Sequence, residues 1–202
     1  MKEVVLATRN SHKIREIQEI FSGLSIQFLS LASFPKAPEV VENGRSFQEN
    51  AVKKASQLAA FLGKICLADD SGIEVDALHG APGIYSARFS GPNATDDSNN
   101  QKLIKLLEKV PSSQRTARYR CVMALATPDG TIHTKEGVCE GQISLKPSGK
   151  NGFGYDPFFY YPPLKKTFGD TSPEIKNRLS HRYQALLKIK PVLLRILEIP
   201  LC

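Results

Sequence analysis

Two kinds of hydrophobic pattern alternate along this chain. Short apolar runs at residues 3–7 and 65–68 read as buried strands, and longer stretches with apolar residues at helical spacing lie between and after them. After the first run, Ile14, Ile17 and Phe21 mark one helix face, and Gly23 stops that helix. A second helix starts at Ser46. There Ser46-Phe47-Gln48-Glu49 has the capping-box pattern, in which the Ser oxygen accepts from the Glu49 amide and Glu49 reaches back. Gly63 is its stop, and Phe47, Ala51, Ala55, Leu58 and Leu62 form its buried face. The strand that follows, 65–68, is predicted to end on an acidic turn, Asp69-Asp70-Ser71-Gly72.

Beyond a Gly- and Pro-rich loop at 79–92, Thr95 caps a third helix. Its Asp96 and Asp97 suit the positive dipole end, and Leu103, Ile104 and Leu107 face inward. Residues 116–126 and 131–140 form a predicted hairpin across Thr127-Pro128-Asp129-Gly130, with Pro and Gly where a type I turn prefers them. A Gly-rich loop at 148–154 precedes helical signals at Ser172-Pro173-Glu174 and from Ser180 onward, with Pro191 kinking or dividing the last helix. Strands mixed with helices and a long hairpin predict an α/β fold with a mixed sheet, in a single unit without repeats or linkers.

Composition narrows the class. A chain of 202 residues that is 41% hydrophobic and 23% charged can bury a core unaided. Neither end reads as a signal or membrane segment, so a soluble cytoplasmic protein is expected. Cys66, Cys121, Cys139 and Cys202 lie far apart without a C-x-x-C pair, which predicts reduced core or terminal thiols and no zinc site. The net charge of +7 favours an anionic partner, and its spread along the chain suits a phosphorylated small molecule at least as well as a polynucleotide. The phosphate-loop and dinucleotide fingerprints, the zinc-protease helix and the serine-hydrolase elbow are all absent.

Four segments can carry chemistry. Thr8, Arg9, Asn10, Ser11, His12 and Lys13 run from a strand end into a helix start, where amides and the dipole attract anions; the plain alternative is an Asn10 or Ser11 cap with Lys13 in water. The paired carboxylates after an apolar strand stand where α/β proteins place their sites. Asp70 is the candidate proton acceptor and a hard-oxygen ligand for Mg²⁺, with Glu42 as second ligand and Ser71 beside it. In Phe153-Gly154-Tyr155-Asp156, glycine allows close approach, the Phe ring can stack on a base, and Asp156 can accept from a purine edge. His181 and Arg182 present donors at a helix start, and Lys54 and Lys176 are phosphate contacts or solvated charges.

Taken in order, these segments resemble the inosine/xanthosine triphosphate pyrophosphatases, over nearly the whole chain. Thr8, Asn10 and Lys13 fit the family's [ST]-x-N-x-x-K pattern, and Phe47, Glu49-Asn50-Ala51 and Lys54-Ala55 its helix motif. Ala68-Asp69-Asp70-Ser71-Gly72 and residues 81–88 look like its core signature, completed by residues 153–157 and Ser180-His181-Arg182. The resemblance implies hydrolysis of ITP, dITP or XTP between the α- and β-phosphates by a Mg²⁺-dependent homodimer, with Asp70 as proton acceptor and metal ligand. It also implies that Thr8 through Lys13, Ser71 and Lys176 hold ribose and phosphates, and that Phe153, Gly154, Tyr155, Asp156, His181 and Arg182 hold the base. The expected fold is a long twisted mixed sheet with flanking helices, its two lobes around a central substrate cleft. A purine with O6 needs donors facing it, which Arg182 can supply. The rival enzyme reading is a pyrophosphatase for modified pyrimidine or methylated nucleotides; the rival class is a nucleotide- or nucleic-acid-binding protein without turnover.

Overall fold

The computed structural model describes residues 2–200, and Cys202 lies outside them. In chain order the elements are β1 (Lys2–Leu6), α1 (Ser11–Ile20), β2 (Ile26–Ser30), α2 (Phe47–Leu62), β3 (Cys66–Val75) and α3 (Asp96–Leu107). They continue with β4 (Thr116–Ala126), β5 (Ile132–Ile143), β6 (Phe159–Tyr161), β7 (Lys166–Thr167), α4 (Pro173–Leu179) and α5 (His181–Ile196). The strands form one sheet in the order β2-β1-β3-β4-β5-β6-β7. Strand β1 runs parallel to β2 and β3, while β6 is antiparallel to β5 and β7, so the sheet is mixed as expected.

Local sequence accounts for most boundaries. Ser46 Oγ accepts from the Glu49 amide at 3.1 Å and Gly63 closes α2 at φ 60°. The reciprocal half of the box differs from expectation: Glu49 Oε2 accepts from Arg45 N–H, one residue earlier. Thr95 caps α3 in a box with Ser98, and Thr127 C=O accepts from Gly130 N–H at 3.0 Å in the predicted turn. Helix α5 runs through Pro191 undivided, although the proline gives up a backbone donor there. Strands β6 and β7 are too short to register as apolar runs, and β2, at the edge of the sheet, is only half-buried, so its residues give no continuous apolar run.

Chain contacts divide the protein into two compact units. The first contains the chain up to Asp70, Cys121–Gly137 and the chain from Arg182; the second contains Ser71–Arg120 and Val138–His181. In the first, Val4, Leu6, Leu67, Cys121, Met123 and Leu125 alternate along their strands toward Ile17 and Phe21 of α1 and Leu186, Ile189 and Leu193 of α5. The core of the second gathers Ile73, Val75, Tyr119, Cys139 and Phe159 from strands, with Leu103 and Leu107 of α3 and Phe168. Cys66, Cys121 and Cys139 are buried free thiols, and burial pushes Cys66 and Cys139 up to about 12, which leaves them inert as nucleophiles. Among the described residues no helix is long and apolar enough to cross a membrane.

Candidate active site

The acidic pair does not sit in a turn. Strand β3 continues through it to Val75, so Asp69-Asp70-Ser71-Gly72 is mid-strand, where the sequence predicted the strand to stop at 68. Turn-type residues misled the local reading, because sheet pairing holds Ser and Gly extended where propensity favours a bend. The consequence is chemical: successive side chains of a strand leave on opposite faces, so the two carboxylates have separate surroundings.

Asp69 continues the face of Leu67 toward α1 and α5. Its Oδ2 lies 2.8 Å from Lys13 Nζ and 3.4 Å from Arg182 Nε, with the carboxylate side chain 2% exposed. Burial opposes its charge, yet Lys13, Arg182 and Lys54 outweigh that and hold the carboxyl well below the usual carboxylate range. Asp69 is a fixed anion. Arg182 is itself buried, and its Nη1 donates to Glu16 Oε2 at 2.6 Å.

Asp70 faces α2. Asn50 Nδ2 donates to Asp70 Oδ2 at 2.9 Å, and Asn50 Oδ1 accepts from Gly44 N–H at 2.8 Å, so one fully buried amide joins the segment before α2 to the carboxylate. Four residues on, Lys54 reaches from the same helix face to the Asp69 carbonyl at 2.6 Å, Glu42 Oε1 at 2.9 Å and Asp70 Oδ1 at 3.9 Å. Lys54 is therefore a buried counter-charge and not a solvated one. Its ammonium is raised above the ordinary lysine value: burial pulls it down, but Asp69, Asp70 and Glu42 together prevail. The net effect on Asp70 is the reverse. Burial pushes its carboxyl above the usual range and Glu42 adds to this, against the pull of Lys54, Asn50 and Lys13. A carboxylate so raised is a better proton acceptor than an ordinary one.

Two carboxylates that share one ammonium supply the hard anionic oxygens Mg²⁺ prefers. Because that ion keeps several waters, Asp70 and Glu42 fit it even though no cluster of three or more His, Cys, Asp or Glu ligands occurs among the described residues.

At the start of α1, Asn10 is the N-cap. Its Oδ1 accepts from the His12 and Lys13 amides at 2.9 and 3.3 Å, and Thr8 Oγ1 accepts from Asn10 N–H at 3.1 Å. The capping alternative therefore describes Asn10, and the His12 amide is engaged by it. Arg9, Ser11 and His12 are exposed, whereas Lys13 is drawn down to Asp69.

In the second unit Ser71 is half-buried on β3. Asp156 is 2% exposed and wholly engaged: Oδ1 accepts from Tyr119 Oη at 3.1 Å, and Oδ2 accepts from Phe153 N–H at 2.8 Å and from Lys176 Nζ. Asp156 thus pins its own loop. Lys176 is buried, with its ammonium 4.8 Å from the centre of the half-buried Phe153 ring. Tyr155 is core, its hydroxyl donating to the Ser86 carbonyl at 2.8 Å. His181 stacks on Tyr119 at 4.8 Å and 12°. His181 and Arg182, adjacent in sequence, belong to different units, the first beside Tyr119 and the second beside Asp69. Gly152 permits the tight path at φ 78°, since a Cβ there would stand 2.0 Å from Asp156 Oδ2. Gly152→Ala is expected to lower stability by at least ~2 kcal/mol, read as a reduced urea midpoint at constant slope.

Three contributors escaped the sequence reading as site residues: Asn50, Glu16 and Tyr119. Asn50 had a usable signal, an amide on the apolar face of α2 one turn before Lys54. Glu16 and Tyr119 had none, because their partners are remote in sequence.

The chain as a whole is similar to known proteins. The chain is 52% identical over 194 residues to a dITP/XTP pyrophosphatase of Desulforamulus reducens, covering 96% of each chain. A dITP/XTP pyrophosphatase of Geobacter sulfurreducens is 50% identical over 190 residues, covering 94% of this chain and 96% of the other. The fold superposes on a HAM1 protein from Coxiella burnetii with a TM-score of 0.90 at 43% identity, covering 96% of this chain and 100% of that one. It superposes on the Staphylococcus aureus Ham1 protein at 0.87 and 39%, covering 95% and 98%. The sequence pattern of the Ham1 family matches residues 4–192, and with this agreement of sequence and fold the chain belongs to the Ham1 family.

Proposed function

We propose that this protein hydrolyses non-canonical purine nucleoside triphosphates, dITP and XTP among them, to the monophosphate and pyrophosphate, and so removes them from the nucleotide pool. The observation that carries this reading is the buried Asp70 carboxylate, raised in basicity and held by Asn50 and Lys54 beside Glu42. Asp70 accepts a proton from water as the water oxygen bonds to the α-phosphorus; the bond from that phosphorus to the bridging oxygen breaks, and pyrophosphate leaves with the bond's electron pair. Asn50 fixes the carboxylate in place, and Lys54 supplies fixed positive charge for the phosphate oxygens.

Asp70 and Glu42 would hold Mg²⁺, which when bound supplies charge neutralisation for the phosphates. Lys13, the Thr8–Asn10 turn and Ser71 serve the phosphate and ribose end. Phe153, with Lys176 over its ring, serves the base together with Gly154 and His181, while Asp156 and Arg182 support the site through their buried ion pairs. The working form in this reading is a cytoplasmic homodimer of single pyrophosphatase domains. The substrate class is supported by relatives named dITP/XTP pyrophosphatase at about half identity.

The test is pyrophosphate release from a panel of triphosphates at matched concentration, with and without Mg²⁺. The expected result is kcat/KM for dITP and XTP well above that for ATP and pyrimidine triphosphates, lost on chelation. Equal rates across the panel, or tight binding without turnover, would overturn the reading.

A further inference from the structure

Gly154 is gripped on both polar groups of its peptide by one face of one helix. Asp96 Oδ2 accepts from Gly154 N–H at 2.7 Å, and Asn100 Nδ2 donates to Gly154 C=O at 2.9 Å. Asp96 and Asn100 are four residues apart in α3, which stacks them one turn above the other. The neighbouring Asn99 donates to the Ser86 carbonyl, the same oxygen that receives the Tyr155 hydroxyl. Helix α3 therefore holds residue 154 directly and shares the Ser86 carbonyl with Tyr155, while Asp156 is held by Tyr119 and Lys176.

The residue in the grip is a glycine at φ 61°, with nothing within 4 Å of a Cβ position, so no side chain of its own anchors it there. A glycine without constraint leaves the left-handed region readily, and a change in its dihedrals swings the Phe153 ring beside it. Asn100 is 7% exposed, and its Oδ1 has no hydrogen-bond partner among the described residues. A buried unpaired acceptor is unfavourable, so what this side chain contributes in exchange is its bond to Gly154.

We propose that Asp96 and Asn100 are positioning residues that hold Phe153 in the orientation that accepts the purine base, and so set KM without touching the chemistry at Asp70. This rests on the reading above that Phe153 meets the base. The clamp itself is independent of it.

The chain has no tryptophan, so Phe153→Trp gives a single indole reporter on the loop. Asp96→Ala and Asn100→Asp are each expected to raise KM for dITP on the order of tenfold with kcat within about twofold. In the Phe153→Trp background each is expected to lower indole anisotropy in the absence of nucleotide. Asp96→Asn, which keeps the acceptor, stays close to wild type in both readouts. Unchanged KM and anisotropy in both variants would overturn the proposal, as would a fall in kcat at constant KM. Should Asp96→Ala not fold, the isosteric Asn100→Asp decides the question on the same readouts. If dITP leaves the emission of Phe153→Trp unchanged, the base-binding reading fails and the KM effect with it, while the anisotropy arm reports on the clamp alone.

Discussion

Asp70→Asn is expected to slow pyrophosphate release from dITP by about 10³-fold, with nucleotide affinity largely retained. The amide keeps the shape and an oxygen for Asn50 Nδ2, so the geometry of the segment before α2 survives; what disappears is the proton acceptor. The same variant should melt no lower than wild type, and higher once the pH has risen past the folded value of Asp70. The sign follows from the direction of the shift. A carboxyl whose folded value is raised holds its proton more tightly in the folded state, so its contribution to stability is present at low pH and is lost as pH rises through the folded value. Once ionised, Asp70 is a destabilising charge, and the Asn variant removes it. A rate near wild type, measured by coupled pyrophosphate detection, would end Asp70's assignment as proton acceptor.

Asp69→Ala is expected to do the opposite, costing about 3–5 kcal/mol of stability because it takes from Lys13 its buried carboxylate and leaves Arg182 with Glu16 alone. For a chain of this length that corresponds to a fall in Tm of roughly 10 °C. Asp69 is held below the ordinary carboxylate range, so its contribution is fully present above that range and is lost as pH falls beneath it. The gap in Tm between wild type and Asp69→Asn should therefore narrow below about pH 4. A Tm for Asp69→Ala within a degree of wild type, or a gap independent of pH, would show that the Lys13 and Arg182 pairs contribute little.

Two adjacent aspartates have opposed shifts, and in the proposed reading they divide the labour between structure and chemistry. In the first unit, Asp69 is ionised by two cations on one face of β3, and Asp70 is kept basic by burial on the other. The alternation of a single strand produces both environments, so moving the pair by one position would exchange them.

Local signals made most of the frame legible. Ser46, Gly63, Thr95, Ser172 and the Thr127–Gly130 turn each satisfy backbone groups within a few residues, so the helices and the hairpin can be read without knowing the partners. The candidate chemistry was legible as residue types in order, which sufficed for the Ham1 family, and Asp70, Lys54 and Glu42 do converge. Roles were harder to read. Asp156 offers acceptors in sequence but gives both to Tyr119, the Phe153 amide and Lys176; Arg182 offers donors but directs them to Glu16 and Asp69.

The sequence alone determined the α/β class, the order of the main elements and the set of polar residues from which the site is built. Capping, periodicity and turn chemistry act over three or four residues, and those interactions are written in the chain. Only the tertiary structure decided that Asp69-Asp70 lies within a strand and not a turn. It also decided that one aspartate is held ionised by buried cations and the other made more basic, and that Asp156 and Arg182 are occupied by buried partners. The strand's extension depends on sheet pairing, and the electrostatic outcomes on burial and on charges from residues 15 to more than 100 positions away, to which local pattern is blind.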